Sequence, residues 1–124
     1  MHIMSIDDSK AVHAYLSEAF EGTACTMEHY FDGKQAIEAV SKPEAKAPDV
    51  ILLDWEMPVM SGIDALPVLR AKLPHTIIIM ATSKNALSDI ASALGNGASD
   101  YIMKPFTKEI LIDKIEQLIG RKVA

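Results

Sequence analysis

Apolar and polar positions along the chain alternate between two periods. Five short runs of strand period, or of continuous apolar character, are each followed by a stretch of helical period. His2–Ile6 reads as a first strand. Ser9 stands where it can cap the next helix, whose Val12, Tyr15, Leu16, Ala19 and Phe20 share one face, and Gly22 ends it. Thr23–His29 alternates polar and apolar residues and carries Glu28 and His29, which predicts a strand at a sheet edge. Asp32-Gly33 opens a second helix with Ala36, Ile37 and Val40 inward, ended before Pro43. "VILLD", Val50–Asp54, and "TIIIMA", Thr76–Ala81, are unbroken apolar runs, as expected of parallel strands covered on both faces. Between them a third helix is predicted over about Gly62–Lys72. A fourth spans about Asn85–Leu94, with Leu87, Ile90, Ala91 and Leu94 inward and Gly95 and Gly97 after it. Tyr101–Met103 is a short fifth strand, and Thr107 caps a last helix with Ile110, Leu111, Ile115, Leu118 and Ile119 inward.

Five βα units predict an α/β fold, a doubly wound parallel sheet with helices on both faces, because right-handed crossovers need covering elements. Pro67 fits the third helix badly, since its ring removes a donor and crowds the preceding turn. Either that helix kinks there or its regular part starts at Leu66–Pro67.

Composition narrows the classes. The chain has 124 residues, which fits one domain spanning 1–124. Its net charge of -5 disfavours nonspecific binding to nucleic acid or to a membrane surface. The one cysteine, Cys25, cannot form an internal disulfide and reads as a small, at least half-buried hydrophobe. No apolar run approaches a membrane span, and the N-terminus lacks a signal-peptide pattern, so a cytoplasmic location is expected. His2, His13, His29 and His75 stand at no ligand spacing and read as surface residues.

In an open parallel sheet the strands' C-terminal ends meet at one edge, where ligands bind. Asp7-Asp8, Asp54, Thr82 and Lys104 fall there. Three carboxylates packed together would not all stay ionised without a cation. Magnesium suits an all-oxygen site that keeps waters, with manganese the alternative. A metal beside a carboxylate and a lysine points to phosphoryl chemistry, with an aspartate as nucleophile. Asp54, at the sheet's centre, is the expected acceptor; Asp7 and Asp8 are expected metal ligands. Thr82 is placed to hydrogen-bond a phosphoryl oxygen and Lys104 to neutralise its charge.

"DD" after strand one, "DWEMPVMSG" after strand three, "ATS" after strand four and "YIMKPF" at strand five resemble the receiver domain of two-component response regulators, over essentially the whole chain. The resemblance implies a flavodoxin-like strand order of 2-1-3-4-5. It implies that Asp54 accepts phosphate from a histidine kinase or histidine phosphotransfer protein, acting as a self-catalysing phospho-acceptor and not as an enzyme. It places Mg²⁺ on Asp8, Asp54 and the Glu56 main-chain carbonyl, with Asp7 acting through water. Thr82 and Tyr101 match a switch pair, and Lys104 precedes a proline whose peptide bond is often cis. Ser61 stands where an aspartate is common, at a helix start where the chemistry should be left alone. Glu56 and Lys84 hold positions that tune phosphoryl lifetime, and an ion pair between them would hinder an attacking water. The output face is expected on the fourth helix, fifth strand and fifth helix, where Lys84, Lys108, Lys114, Asp89 and Asp113 mix both charges; the kinase face is expected near Val12 and Tyr15. Trp55, beside Asp54, should report on the metal through its fluorescence. The chain ends at Ala124 after the last helix, so either a stand-alone receiver or the receiver of a larger regulator is expected.

Two other classes compete. A metal-dependent phosphohydrolase with an aspartate nucleophile carries a second acid two residues on; Glu56 offers one, but the short connections leave no room for a substrate cap. A flavin binder needs a phosphate loop where "DDS" would repel the phosphate.

Overall fold

The computed structural model describes residues 1–123. Strands β1 (His2–Ile6), β2 (Thr26–Tyr30), β3 (Val50–Leu53), β4 (Ile77–Thr82) and β5 (Asp100–Met103) alternate with helices α1 (Lys10–Ala19), α2 (Gly33–Val40), α3 (Gly62–Lys72), α4 (Leu87–Gly95) and α5 (Lys108–Ile119). All pairings are parallel and the order is β2-β1-β3-β4-β5. The alternation of side chains along each strand then builds two apolar layers. Met4, Ile6, Ile51, Leu53, Ile78 and Met80 face α2, α3 and α4; Ile3, Val50, Leu52, Ile79, Ala81 and Ile102 face α1 and α5. The expected doubly wound sheet, its order and the edge position of β2 are all present.

Several helix caps follow the sequence directly. The side chains of Ser9, Asp32 and Thr107 accept hydrogen bonds from the N–H groups of Val12, Gln35 and Ile110. Ser61 caps α3 by accepting from Asp64 N–H. That helix runs unbroken from Gly62 to Lys72 across Pro67, so it does not start at Leu66–Pro67. Pro67 lies on the exposed face, where water can meet the carbonyl its missing N–H leaves free.

Other expectations are corrected. β2 starts three residues late, at Thr26, because Thr23 folds back on α1: its hydroxyl donates to the Phe20 carbonyl and accepts from the Cys25 N–H. β4 is shifted by one residue, so Thr82 ends the strand instead of following it. The α4 face is misassigned. Ala93 is fully buried and Ile90 partly so, whereas Leu87 is 85% exposed and Ala91 and Leu94 face outward. Ile90 and Ala93 compete with Leu87, Ala91 and Leu94 at helical spacing, and the small Ala93 permits the closer approach to β5. On α5, Ile110 is 54% exposed while Leu111 and Ile115 are buried. On α1, Tyr15 lies outward and His13, 5% exposed, takes the inward place, so His13 is no surface residue. His2 and His29 are also partly buried.

Candidate functional site

The sheet's hydrogen bonding continues one residue beyond the strands, and this fixes the site. Asp7 N–H donates to the Tyr30 carbonyl at 3.0 Å, Asp54 N–H to Ile6 at 2.9 Å and Lys104 N–H to Thr82 at 3.0 Å. Asp7, Asp54 and Lys104 are thereby seated on one rim although far apart in sequence. One carboxylate oxygen from each of Asp7, Asp8 and Asp54 lies within 4.8 Å of the others. Asp7 and Asp54 are buried, and Asp8 is exposed. Lys104 Nζ reaches Asp7 Oδ2 at 2.6 Å and Asp54 Oδ1 at 3.2 Å. The Lys104-Pro105 peptide bond is cis.

Asp54 Oδ1 also accepts from the Trp55 N–H at 2.9 Å. Both donors fall on Oδ1, and among the described residues none is given to Oδ2. Burial, and then the charge of Asp7, push the Asp54 carboxyl up to about 6 despite Lys104 and the Trp55 N–H. Burial alone would lower the Lys104 ammonium, but its bond to Asp7 and the charge of Asp54 outweigh it and hold the group above its ordinary value. One ammonium thus faces three carboxylates, an excess of two negative charges. A divalent, oxygen-preferring cation fits this donor set in charge and in chemistry.

Thr82 is buried, and its hydroxyl accepts from the Lys84 N–H at 3.3 Å. Tyr101 is turned inward and its hydroxyl donates to the Lys84 carbonyl at 2.6 Å. Burial, with the charge of Asp89, raises the Tyr101 phenol above its ordinary value. The Lys84 side chain lies 3.3 Å from Glu56 Oε1 and 5.4 Å from the centroid of the Trp55 ring. The pair that the resemblance leads one to expect therefore spans the β3–α3 and β4–α4 loops, and the Lys84 main chain touches both Thr82 and Tyr101.

Two residues of the site are given no role by the reading of motifs. Gly62 donates its N–H to the Trp55 carbonyl at 2.7 Å, and a Cβ there would stand 1.8 Å from the Asp54 carbonyl oxygen. This close approach folds the β3–α3 loop back beneath Asp54. The same loop is strained at Val59, a β-branched residue with φ 67°. His13 is the other, its Nε2 2.7 Å from the Asp7 carbonyl. The signal for it was its spacing with Leu16 and Phe20, equivalent in period to the face led by Val12 and Tyr15.

Beside Lys104 runs an apolar groove of about 500 Å³ lined by Val12, Tyr15, Ser83, Pro105 and Phe106. Leu87, Leu94, Met103 and Ile110 leave large apolar side chains exposed on α4, β5 and α5. Lys114 on α5 pairs with Asp100 of β5 at 3.2 Å. No helix among the described residues is long and apolar enough to cross a membrane.

Comparison with known proteins agrees with this geometry. The family model of the response regulator receiver domain matches residues 3–116. The chain is 30% identical to the chemotaxis protein CheY1 of Helicobacter pylori strain J99, covering 97% of this chain and 98% of that protein. Other relatives are longer: the chain spans about half the length of a mycobacterial DNA-binding response regulator to which it is 35% identical over 119 residues. A two-component response regulator from Clostridium difficile shares the fold with a TM-score of 0.88, covering 98% and 97% of the two chains at 24% identity. The receiver domain of sensor histidine kinase PA1611 from Pseudomonas aeruginosa PAO1, determined with a magnesium ion coordinated in its active site cleft, superposes with a TM-score of 0.83 at 25% identity, covering 96% and 97%. The chain belongs to the response regulator receiver domain family, the phospho-acceptor signalling modules of two-component systems.

Proposed function

We propose that the whole chain acts as one phosphorylation switch, with Asp54 the acceptor for a phosphoryl group from a phosphohistidine donor. The observation that carries this is the convergence of Asp54 with Asp7, Asp8 and Lys104 on one rim. Asp54 Oδ2 attacks phosphorus, the bond from phosphorus to the donor's imidazole nitrogen breaks, and that nitrogen retains the electron pair and takes up a proton. Lys104 neutralises charge on the transferring group, and the Thr82 hydroxyl, once released from Lys84 N–H, donates to a phosphoryl oxygen. Asp8, Asp54 and the Glu56 carbonyl would hold Mg²⁺, with Asp7 reached through water; manganese would suit the same donors. The ion supplies Lewis-acid charge neutralisation at the phosphoryl oxygens when bound. The magnesium seen in the related PA1611 receiver supports this choice.

The groove at Val12, Tyr15 and Phe106 adjoins the acceptor and suits the kinase or phosphotransfer protein. The apolar residues on α4, β5 and α5 suit an output protein, with Tyr101 and Thr82 relaying the state of the site. A cytoplasmic protein-contact switch, stand-alone or joined to an output domain, follows. Acetyl phosphate with Mg²⁺ should label the protein once per chain, EDTA should prevent it, and Mg²⁺ should change Trp55 emission. Steady turnover of a small phosphoester without a labelled protein would refute this reading.

The Glu56–Lys84 pair joins the two loops that follow β3 and β4 and is read as a gate against water. An exposed pair is worth up to about 1 kcal/mol, so removing it changes a rate by at most about fivefold. Glu56→Ala/Lys84→Ala is expected to lose its phosphoryl group faster than wild type, within that limit, when decay is followed after donor removal. Equal half-lives would show that the pair does not gate the site.

A further inference from the structure

We propose that His13 is a positioning residue for the metal site, holding the Asp7-Asp8 peptide so that the two carboxylates converge with Asp54. The inference rests on the reading of these aspartates as metal ligands. His13 is buried in α1 beneath the end of β1. Its Nε2 stands 2.7 Å from the Asp7 carbonyl oxygen and its Nδ1 3.1 Å from Ser5 Oγ. A carbonyl only accepts, so Nε2 carries the proton, and in the neutral ring Nδ1 accepts from the Ser5 hydroxyl. The ring is held from the side by His29, with centroids 4.6 Å apart, and by the edge of Phe31 at 4.9 Å.

The consequence lies in what else holds the two acids. Asp7 has every polar group engaged: its N–H on Tyr30, Oδ1 on the Ser9 N–H, Oδ2 on Lys104 and its carbonyl on His13. Asp8 has no such support, for among the described residues its exposed side chain makes no hydrogen bond of the kind that fixes Asp7. Its carboxylate is aimed by the main chain alone. The Asp7 carbonyl and the Asp8 N–H belong to one planar peptide unit. Pinning that carbonyl therefore sets where the Asp8 side chain leaves the backbone. His13 does this from a second element, α1, tying the helix to the loop that carries both acids.

Mg²⁺ affinity, read by Trp55 emission and by calorimetry, tests this in three variants beside wild type. His13→Leu fills the space without a donor. His13→Asn places an amide near Nδ1, toward Ser5 but short of Asp7. His13→Gln extends an amide to where Nε2 stands. Loss of a residue that orients a metal ligand typically weakens binding about 10–100-fold, and that loss is expected for His13→Leu and His13→Asn. His13→Gln is expected to stay within about threefold of wild type while its melting temperature falls as far as that of His13→Asn. If His13→Leu does not fold, the comparison of Asn with Gln stands in its place. Equal affinity in all variants would overturn the proposal, as would a loss in Gln matching that in Asn, which marks packing alone. A wild-type protein that ignores Mg²⁺ would instead overturn the metal-site reading beneath it, and this proposal with it.

Discussion

Asp54→Asn is expected to abolish labelling by acetyl phosphate and, in the same variant, to stabilise the metal-free protein at neutral pH. The first effect follows from losing the attacking carboxylate oxygen. The second follows from the carboxyl's raised value of about 6, against 3.8 in an unfolded chain. A carboxyl raised on folding favours the native state while it is protonated. That contribution is fully present below 3.8 and is lost as pH rises through about 6. About two pKa units correspond to about 3 kcal/mol of native-state penalty at pH 7, which an uncharged asparagine does not carry. Without Mg²⁺, the melting temperature of Asp54→Asn should exceed that of wild type at pH 7 and converge with it near pH 4. Adding Mg²⁺ should stabilise wild type far more than the variant, because binding to the native state alone raises stability by mass action. A wild type and variant with parallel pH profiles in EDTA would show that Asp54 carries no such penalty.

Gly62→Ala is expected to damage both folding and the site. The added methyl would stand 1.8 Å from the Asp54 carbonyl oxygen and 2.8 Å from its carbon, and both are main-chain atoms that no rotamer change can move aside. The loop must open, breaking the bond from Gly62 N–H to Trp55 and displacing the peptide that carries the acceptor. Forced overpacking against backbone costs about 3 kcal/mol or more, at the severe end of the range for single substitutions. Urea unfolding should show that loss, and Mg²⁺ should bind more weakly to whatever folds. Gly95→Ala is the control: its methyl meets nothing within 4 Å, and a helical alanine in place of glycine should stabilise α4 by about 0.5–1 kcal/mol. A Gly62→Ala protein as stable as wild type would mean that the loop has another conformation of equal energy.

Much of the site was legible because its chemistry falls at strand ends. A parallel sheet sends every C-terminal end to one rim, so reading where Ile6, Leu53 and Met103 end their runs already gathers Asp7, Asp54 and Lys104. The Glu56–Lys84 pair was legible through the resemblance to receiver domains, which marks both positions as neighbours of the acceptor. Side-chain direction on the helices was less so. On α1, α4 and α5 two neighbouring faces carry apolar residues at equal period, and the choice depends on which face the sheet admits.

By itself the sequence determined the order of elements, the caps at Ser9, Asp32 and Thr107, and the acids and lysine of the rim, because these depend on local hydrogen bonding and on a period-two or helical pattern. Only the tertiary structure decided that His13 turns inward to the Asp7 carbonyl, that Leu87 and Ile110 turn outward, and that Gly62 lies against the Asp54 main chain. Those choices rest on how closely two backbones approach and on which buried carbonyl needs a donor, and neither distance is encoded in the spacing of residues along one chain.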